Sequence, residues 1–206
     1  MLLLSCLLWS GHSGARPASA TAGDFDYYIL ALSWSPAYCN LNPGDHSQCG
    51  NRRFAFVLHG LWPQYRDGGY PEQCSGPRLP KPVLERALAF MPSEKLVRHE
   101  WQSHGLCTGL SPRDYFLDAE TAFSAVTIPG LFGGDPIPQH LTAQSIARAF
   151  IDANPGIGPG SVTLQCRGPE LEEVRICLDR NLKPANCGRG VKTHCRPGPV
   201  QIRPVR

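Results

Sequence analysis

The sequence predicts one α+β domain, with helices in the middle of the chain and strands towards both ends. Three observations predict this class: apolar runs typical of strands lie near both ends, segments with helical spacing lie between them, and no internal repeat is present. A chain of 206 residues, 42% of them hydrophobic, is long enough for one core and short for two full-sized domains.

Two strands are predicted early in the chain. Residues 25–34 are rich in aromatic and branched side chains and are closed by Ser35-Pro36. Residues 53–59 form a second such run, which Gly60 ends. We therefore expect His59 to lie at the end of a buried strand.

Four helices are predicted in the middle of the chain. Apolar side chains recur at helical spacing over residues 83–91, and this helix ends near Pro92. The other three each begin at a serine or threonine that can cap the first turn. Their predicted spans are 93–104, 111–123 and 142–154.

The C-terminal part changes period. Residues 174–178 alternate apolar with polar side chains, which is typical of a half-buried strand. Residues 161–167 and 200–205 are weaker strand candidates.

Composition and charge narrow the class of protein. No apolar run approaches the roughly 18 residues of a membrane-spanning helix. The formal net charge of +3 is too small to bind a polyanion by bulk charge alone. Its distribution is uneven, because residues 181–206 carry six basic side chains and no acidic one.

The N-terminus predicts a signal peptide spanning residues 1–20. An apolar run over residues 2–9 is followed by the small-x-small pattern Ala18-Ser19-Ala20, and cleavage near Ala20 would remove Cys6. Export of the remaining domain, residues 21–206, would place it outside the cytoplasm, secreted or periplasmic.

Eight cysteines remain after that cleavage, an even number that favours disulfides in an exported protein. The short spacings favour Cys39–Cys49 and Cys177–Cys187. Zinc is the competing interpretation, but no C-x-x-C pair supports it. We expect no metal and no cofactor.

Histidine and tryptophan concentrate in two segments, residues 59–63 and 99–105. On a helix, Glu100 and His104 are i and i+4, so the carboxylate is expected to contact the imidazole and favour its charged form, with His99 and Ser103 as the neighbouring pair. A zinc protease is excluded because five-residue spacing places the two histidines about 140° apart around a helix. No G-x-S-x-G motif supports a serine hydrolase.

Two histidines on different elements, without an evident nucleophile, suit general acid–base chemistry on a substrate that carries its own nucleophile. RNA does so through its 2′-OH. A lone histidine is more often structural, but two such segments, each with a tryptophan, make that interpretation weaker.

FVLHGLWPQ (residues 56–64) and HEWQSHGLC (residues 99–107) resemble the two active-site segments of the ribonuclease T2 family, the secreted, base-nonspecific acid ribonucleases. The resemblance covers about residues 24–206 and is that of a bacterial-type member. It implies a central antiparallel sheet with flanking helices and disulfides. It also implies a monomeric enzyme that acts on single-stranded RNA and not on DNA. After signal cleavage the protein would not be associated with a membrane.

The resemblance implies a role for one histidine of the first segment and three residues of the second. His59 would protonate the leaving 5′-oxygen and His104 would accept the 2′-OH proton. Glu100 would orient and stabilise the charged site, and His99 would bind the phosphate. Ser103 stands where many members carry lysine, so a weakly active or non-catalytic RNA-binding homologue is the alternative hypothesis.

The resemblance also implies a base site. Trp62 and Tyr70 match aromatic residues that stack on the base, and Gln64 stands where some members carry an acidic base-reading residue. For Trp101 we expect plain core packing.

Two further disulfides are implied by the resemblance alone. Cys74–Cys107 would tie the second active-site segment to the chain after the first. Cys166–Cys195, enclosing Cys177–Cys187, would staple the C-terminal strands. A purely structural disulfide-rich domain would leave the two histidine segments unexplained.

Overall fold

The computed structural model describes residues 20–133 and 139–205. The predicted signal peptide and Cys6 lie outside the described residues. No helix within the described ranges is long and apolar enough to span a membrane.

A six-stranded sheet forms the centre of the fold. Its strands are β1 (Tyr27–Trp34), β2 (Phe56–Gln64), β3 (Gln139–Thr142), β4 (Val162–Arg167), β5 (Glu170–Leu178) and β6 (Pro199–Ile202). The order is β2-β1-β5-β6-β3, and β4 also pairs with β5. All pairs are antiparallel except β5 with β6, which run parallel at Glu170 and Gln201. The expected antiparallel sheet is therefore mixed, because the long connection after β5 lets the chain return in the same direction.

The described residues form six α-helices. They are α1 (Ser35–Leu41), α2 (His46–Cys49), α3 (Lys81–Ala87), α4 (Glu94–Ser103), α5 (Pro112–Ser124) and α6 (Ala143–Ala153). The three predicted caps are confirmed, since the hydroxyls of Ser93, Ser111 and Thr142 each accept from a backbone N–H of the first turn. Helices α1 and α2 were not predicted from the sequence, and α3 ends at Ala87, before the predicted end near Pro92.

Alternate side chains of β1 lie on opposite faces of the sheet. Leu30, Leu32 and Trp34 are buried in the main core against the helices. Ile29 lies on the opposite face of the sheet, where Trp62 packs on it. The α+β class is confirmed. Trp62 of β2 lies on the same face of the sheet as Ile29.

Four disulfides join Cys39–Cys49, Cys74–Cys107, Cys166–Cys195 and Cys177–Cys187. These are the pairs named from the sequence. One closes onto the short 3-10 turn (Gly105–Thr108) that follows α4, and the last two hold the chain beside β5.

Candidate active site

His59 lies inside β2, and the prediction that Gly60 ends this strand is wrong. Leu58 pairs with Leu32 and Gly60 with Ala31, so His59 is the extra residue of a β-bulge. The strand continues to residue 64. A bulge changes the direction of a side chain, and here it leaves the His59 side chain 36% exposed in a strand whose other residues, apart from Trp62, are buried.

The glycine after each active-site histidine allows strand and helix to approach closely. A Cβ on Gly60 would lie 1.9 Å from Glu100 Oε2 and 2.3 Å from Trp62 Nε1. A Cβ on Gly105 would lie 2.4 Å from the Trp101 ring. Gly60 therefore allows close packing and does not end the strand.

Glu100 contacts the first segment and not His104. The backbone N–H of His104 still donates to the Glu100 carbonyl at 3.0 Å, but His104 caps α4 with φ −129° and has left helical geometry. Glu100 Oε2 instead accepts from Trp62 Nε1 at 2.7 Å, and Oε1 lies 3.8 Å from His59 Nε2. The expected contact between Glu100 and the His104 imidazole is thus wrong, because an i, i+4 pair requires helical backbone at both residues.

Burial raises the pKa of Glu100 to about 7, against the opposing effects of the His59 charge and the Trp62 hydrogen bond. Its Oε1 has no hydrogen-bond partner among the described residues.

Glu173 holds His59. Its Oε2 lies 2.6 Å from His59 Nδ1, and its Oε1 accepts from Arg175 Nε at 2.6 Å. Burial opposes the charged form of His59, but the hydrogen bond and charge of Glu173, with Glu100, outweigh burial and raise the histidine pKa. Burial likewise opposes ionised Glu173, and its partners His59 and Arg175 lower its pKa overall.

Glu173 and Arg175 were not predicted from the sequence as site residues. Both lie on β5 at alternate positions, the usual pattern of a solvent-facing strand surface. The available signal was the pair of opposite charges at i and i+2 in a strand otherwise rich in apolar residues.

Glu173→Gln is expected to lower the His59 pKa, because it removes the charge that outweighs burial. NMR titration of the imidazole protons measures the shift. The matched control is Glu172→Gln, which alters a neighbouring carboxylate that pairs with Arg167. An unchanged His59 titration in Glu173→Gln would contradict this assignment.

The pKa of His104 is shifted in the opposite direction to that of His59. Burial, followed by the charges of His99 and His59, lowers its pKa to about 4. Its ring centre lies 5.3 Å from that of Trp62, and its buried Nδ1 has no partner among the described residues. The expectation that its charged form is favoured is therefore wrong.

His99 is exposed, and its Nδ1 lies 3.4 Å from Ser103 Oγ, as the predicted i, i+4 pairing requires. Ligand atoms of His99, Glu100 and His104 lie within 4.8 Å of one another, near enough to share a metal ion. The separation of about 140° expected for two histidines on one helix does not apply, because His104 lies beyond the end of α4.

Two clefts meet at this site. The Trp62 cleft, about 400 Å³, is lined by Ile29, Trp62, Gln64, Gly69, Tyr70, His104, Arg175, Arg189, Gly190, Val191, Lys192 and His194. The Glu173 cleft, about 350 Å³, is lined by Ser33, Tyr38, Leu41, Asn42, His59, Gln165, Arg167, Glu172, Glu173 and Arg175. Two of the six basic side chains of residues 181–206, Arg189 and Lys192, thus line the Trp62 cleft.

The aromatic residues divide as the sequence analysis expects. Trp62 is half-buried and Tyr70 is 47% exposed, and both line the Trp62 cleft with His104. Gln64 is buried there, and its amide donates to the Pro63 carbonyl. Trp101 is a core residue, since it is buried and its indole donates to a backbone carbonyl.

The family model of the ribonuclease T2 family matches residues 25–187. The chain belongs to this family. A ribonuclease of Aeromonas hydrophila is 40% identical over 87% of this chain and 84% of its own length. A probable ribonuclease of Haemophilus influenzae is 34% identical over 79% of this chain and 61% of its own length.

Solved structures agree on the fold of this ribonuclease T2 family member. Trichomaglin, described as an S-like ribonuclease, superposes with a TM-score of 0.72 at 20% identity, covering 89% of this chain and 100% of that one. A ribonuclease-related protein from Calystegia sepium gives 0.69 at 21% identity, covering 88% and 97%.

Proposed function

We propose that the protein is an endoribonuclease that cleaves single-stranded RNA with low base specificity, through a 2′,3′-cyclic phosphate to 3′-phosphate ends. The family membership supports the substrate class. The observation that carries the mechanism is the opposite displacement of two histidine pKa values beside Trp62, raised for His59 and lowered to about 4 for His104. Between those values one imidazole is charged and the other neutral, as an acid and a base must be.

In this mechanism neutral His104 removes the proton of the 2′-OH, and the 2′-oxygen attacks phosphorus. Charged His59 protonates the 5′-oxygen as its bond to phosphorus breaks. Water then opens the cyclic phosphate with the two roles exchanged. His99 contacts the phosphate, and Glu100 orients and stabilises the charged site.

Trp62 and Tyr70 bind the base in this proposal. Stacking on an aromatic ring contributes roughly 1–3 kcal/mol per base with little regard to sequence, which suits low base specificity. Exposed Arg189 and Lys192 line the same cleft and face the neighbouring phosphates of the RNA.

The test is incubation of purified protein with RNA, with EDTA, followed by identification of the product ends. We expect cleavage in EDTA, 3′-phosphate ends and no cleavage of DNA, which lacks the 2′-OH. Loss of activity in EDTA that a metal restores would contradict the metal-free mechanism. Binding of RNA without cleavage would favour the alternative, a non-catalytic homologue in which Ser103 replaces lysine.

The pH profile of kcat/KM is expected to be bell-shaped, with its maximum at mildly acidic pH. Activity rises as pH passes about 4, where His104 becomes neutral. It falls again above the ordinary histidine pKa of about 6.5, because the pKa of His59 is raised. Rates measured from pH 3 to pH 9 define both limbs, and a bell centred well above neutrality would contradict the assignment.

We also propose that residues 21–206 are exported as a single monomeric domain, secreted or periplasmic. Four disulfides support the export, because disulfides persist in oxidising compartments. Cleavage near Ala20 is checked by N-terminal sequencing of the exported protein. Size-exclusion chromatography with light scattering checks the monomer.

A further inference from the structure

Arg175 holds a central position in the sheet. On β5 it lies opposite Ala31 of β1 and Thr163 of β4. Its guanidinium carbon lies 5.1 Å from the centre of the Trp62 ring, and its Nε donates to Glu173 Oε1. The side chain is only 28% exposed, so these neighbours hold a cation in place.

Most of the hydrogen-bonding capacity of Arg175 remains available. A guanidinium carries five N–H groups, and among the described residues only the Nε–H of Arg175 has a partner. The two terminal NH₂ groups form the planar edge that binds two oxygens of a phosphate at once.

The two clefts share Arg175 and no other described residue. One cleft contains His104 and the other contains His59. If base and acid act on opposite sides of a phosphodiester, the nucleosides it joins occupy different clefts. The phosphate between them then lies beside the guanidinium.

The other fully charged cations of these clefts are less suited to the reacting phosphate. The side chain of Arg167 is 68% exposed and paired with Glu172, and that of Arg189 is 85% exposed. Lys192 is also exposed. Ser103 offers one neutral hydroxyl. A positive charge held in a partly buried site stabilises developing negative charge more than an exposed one does.

We propose that Arg175 binds the scissile phosphate and stabilises its charge in the transition state, as the cation that Ser103 cannot supply. This inference rests on the proposed function. It makes Arg175 a catalytic residue, whereas Glu173 is a positioning residue that acts through His59.

The test compares Glu173→Gln with the double variant Glu173→Gln/Arg175→Gln on a dinucleoside monophosphate. The double variant leaves no buried carboxylate without its partner, and thermal unfolding checks that it folds. We expect Arg175→Gln to lower kcat about 100-fold or more in this background. A further loss below about twofold would mean that Arg175 acts only through Glu173, and would overturn the proposal.

A binding measurement separates this proposal from the proposed function. Inorganic phosphate is titrated into the protein and followed by the NMR signals of the histidine rings. Arg175→Gln is expected to weaken phosphate binding about 10- to 100-fold. Arg148→Gln, an ion-paired arginine on α6 that lines neither cleft, is the control and should leave binding unchanged.

The outcomes are distinguishable. A wild-type protein that binds phosphate through Arg175 but does not cleave RNA would refute the nuclease and leave the phosphate site standing. RNA cleavage and phosphate binding that are both insensitive to Arg175 would refute the site alone.

Discussion

His104→Ala is expected to lower kcat for RNA cleavage about 10²–10⁴-fold, the usual contribution of one positioned acid–base group. The 2′-OH is a weak acid, and neutral His104 is the group proposed to remove its proton. The acid limb of the pH profile near pH 4 should disappear with the imidazole that produces it. Steady-state rates on RNA and on a dinucleoside monophosphate measure both effects.

The control for this variant is His140→Ala, an exposed histidine on β3. It should retain the wild-type rate and profile. Near-normal turnover in His104→Ala, with the acid limb in place, would refute the two-histidine mechanism.

His59→Ala is expected to lose a similar factor, about 10²–10⁴, but only where the leaving group needs a proton. On RNA the 5′-oxygen is a strongly basic leaving group, so the whole of this loss should be seen. A nucleoside 3′-(4-nitrophenyl phosphate) releases a weakly basic phenolate, and on this substrate the rate should largely recover.

The two variants therefore differ in a way that identifies acid and base. His104→Ala should remain slow on the nitrophenyl ester, because deprotonation of the 2′-OH is still required. Recovery in His104→Ala with no recovery in His59→Ala would mean that the two roles are exchanged.

Local signals in the sequence predicted much of the fold. Ser93, Ser111 and Thr142 are caps whose hydrogen bonds stay within a single turn, so the sequence nearby contains the whole cause. The end of β2 could not be predicted in this way. Gly60 resembles a strand terminator, but Glu100, from a distant helix, determines that no side chain fits there.

The candidate site was predictable in its motifs and not in its partners. His59 and His104 stand in segments that can be recognised without a structure. Glu173 and Arg175 alternate as a solvent-facing strand surface would, and only the pairing of β5 with both β1 and β4 makes Glu173 a buried partner of His59. Such burial depends on contacts between distant segments, which periodicity does not contain.

The position of β5 between β1 and β4 has a consequence for the chain during its own synthesis. His59 is translated early, but the carboxylate that keeps it protonated comes 114 residues later. A nascent chain that ends before β5 therefore contains both histidines without Glu173 or Arg175. The pairing of His59 with Glu173 therefore forms only after most of the polypeptide has been made.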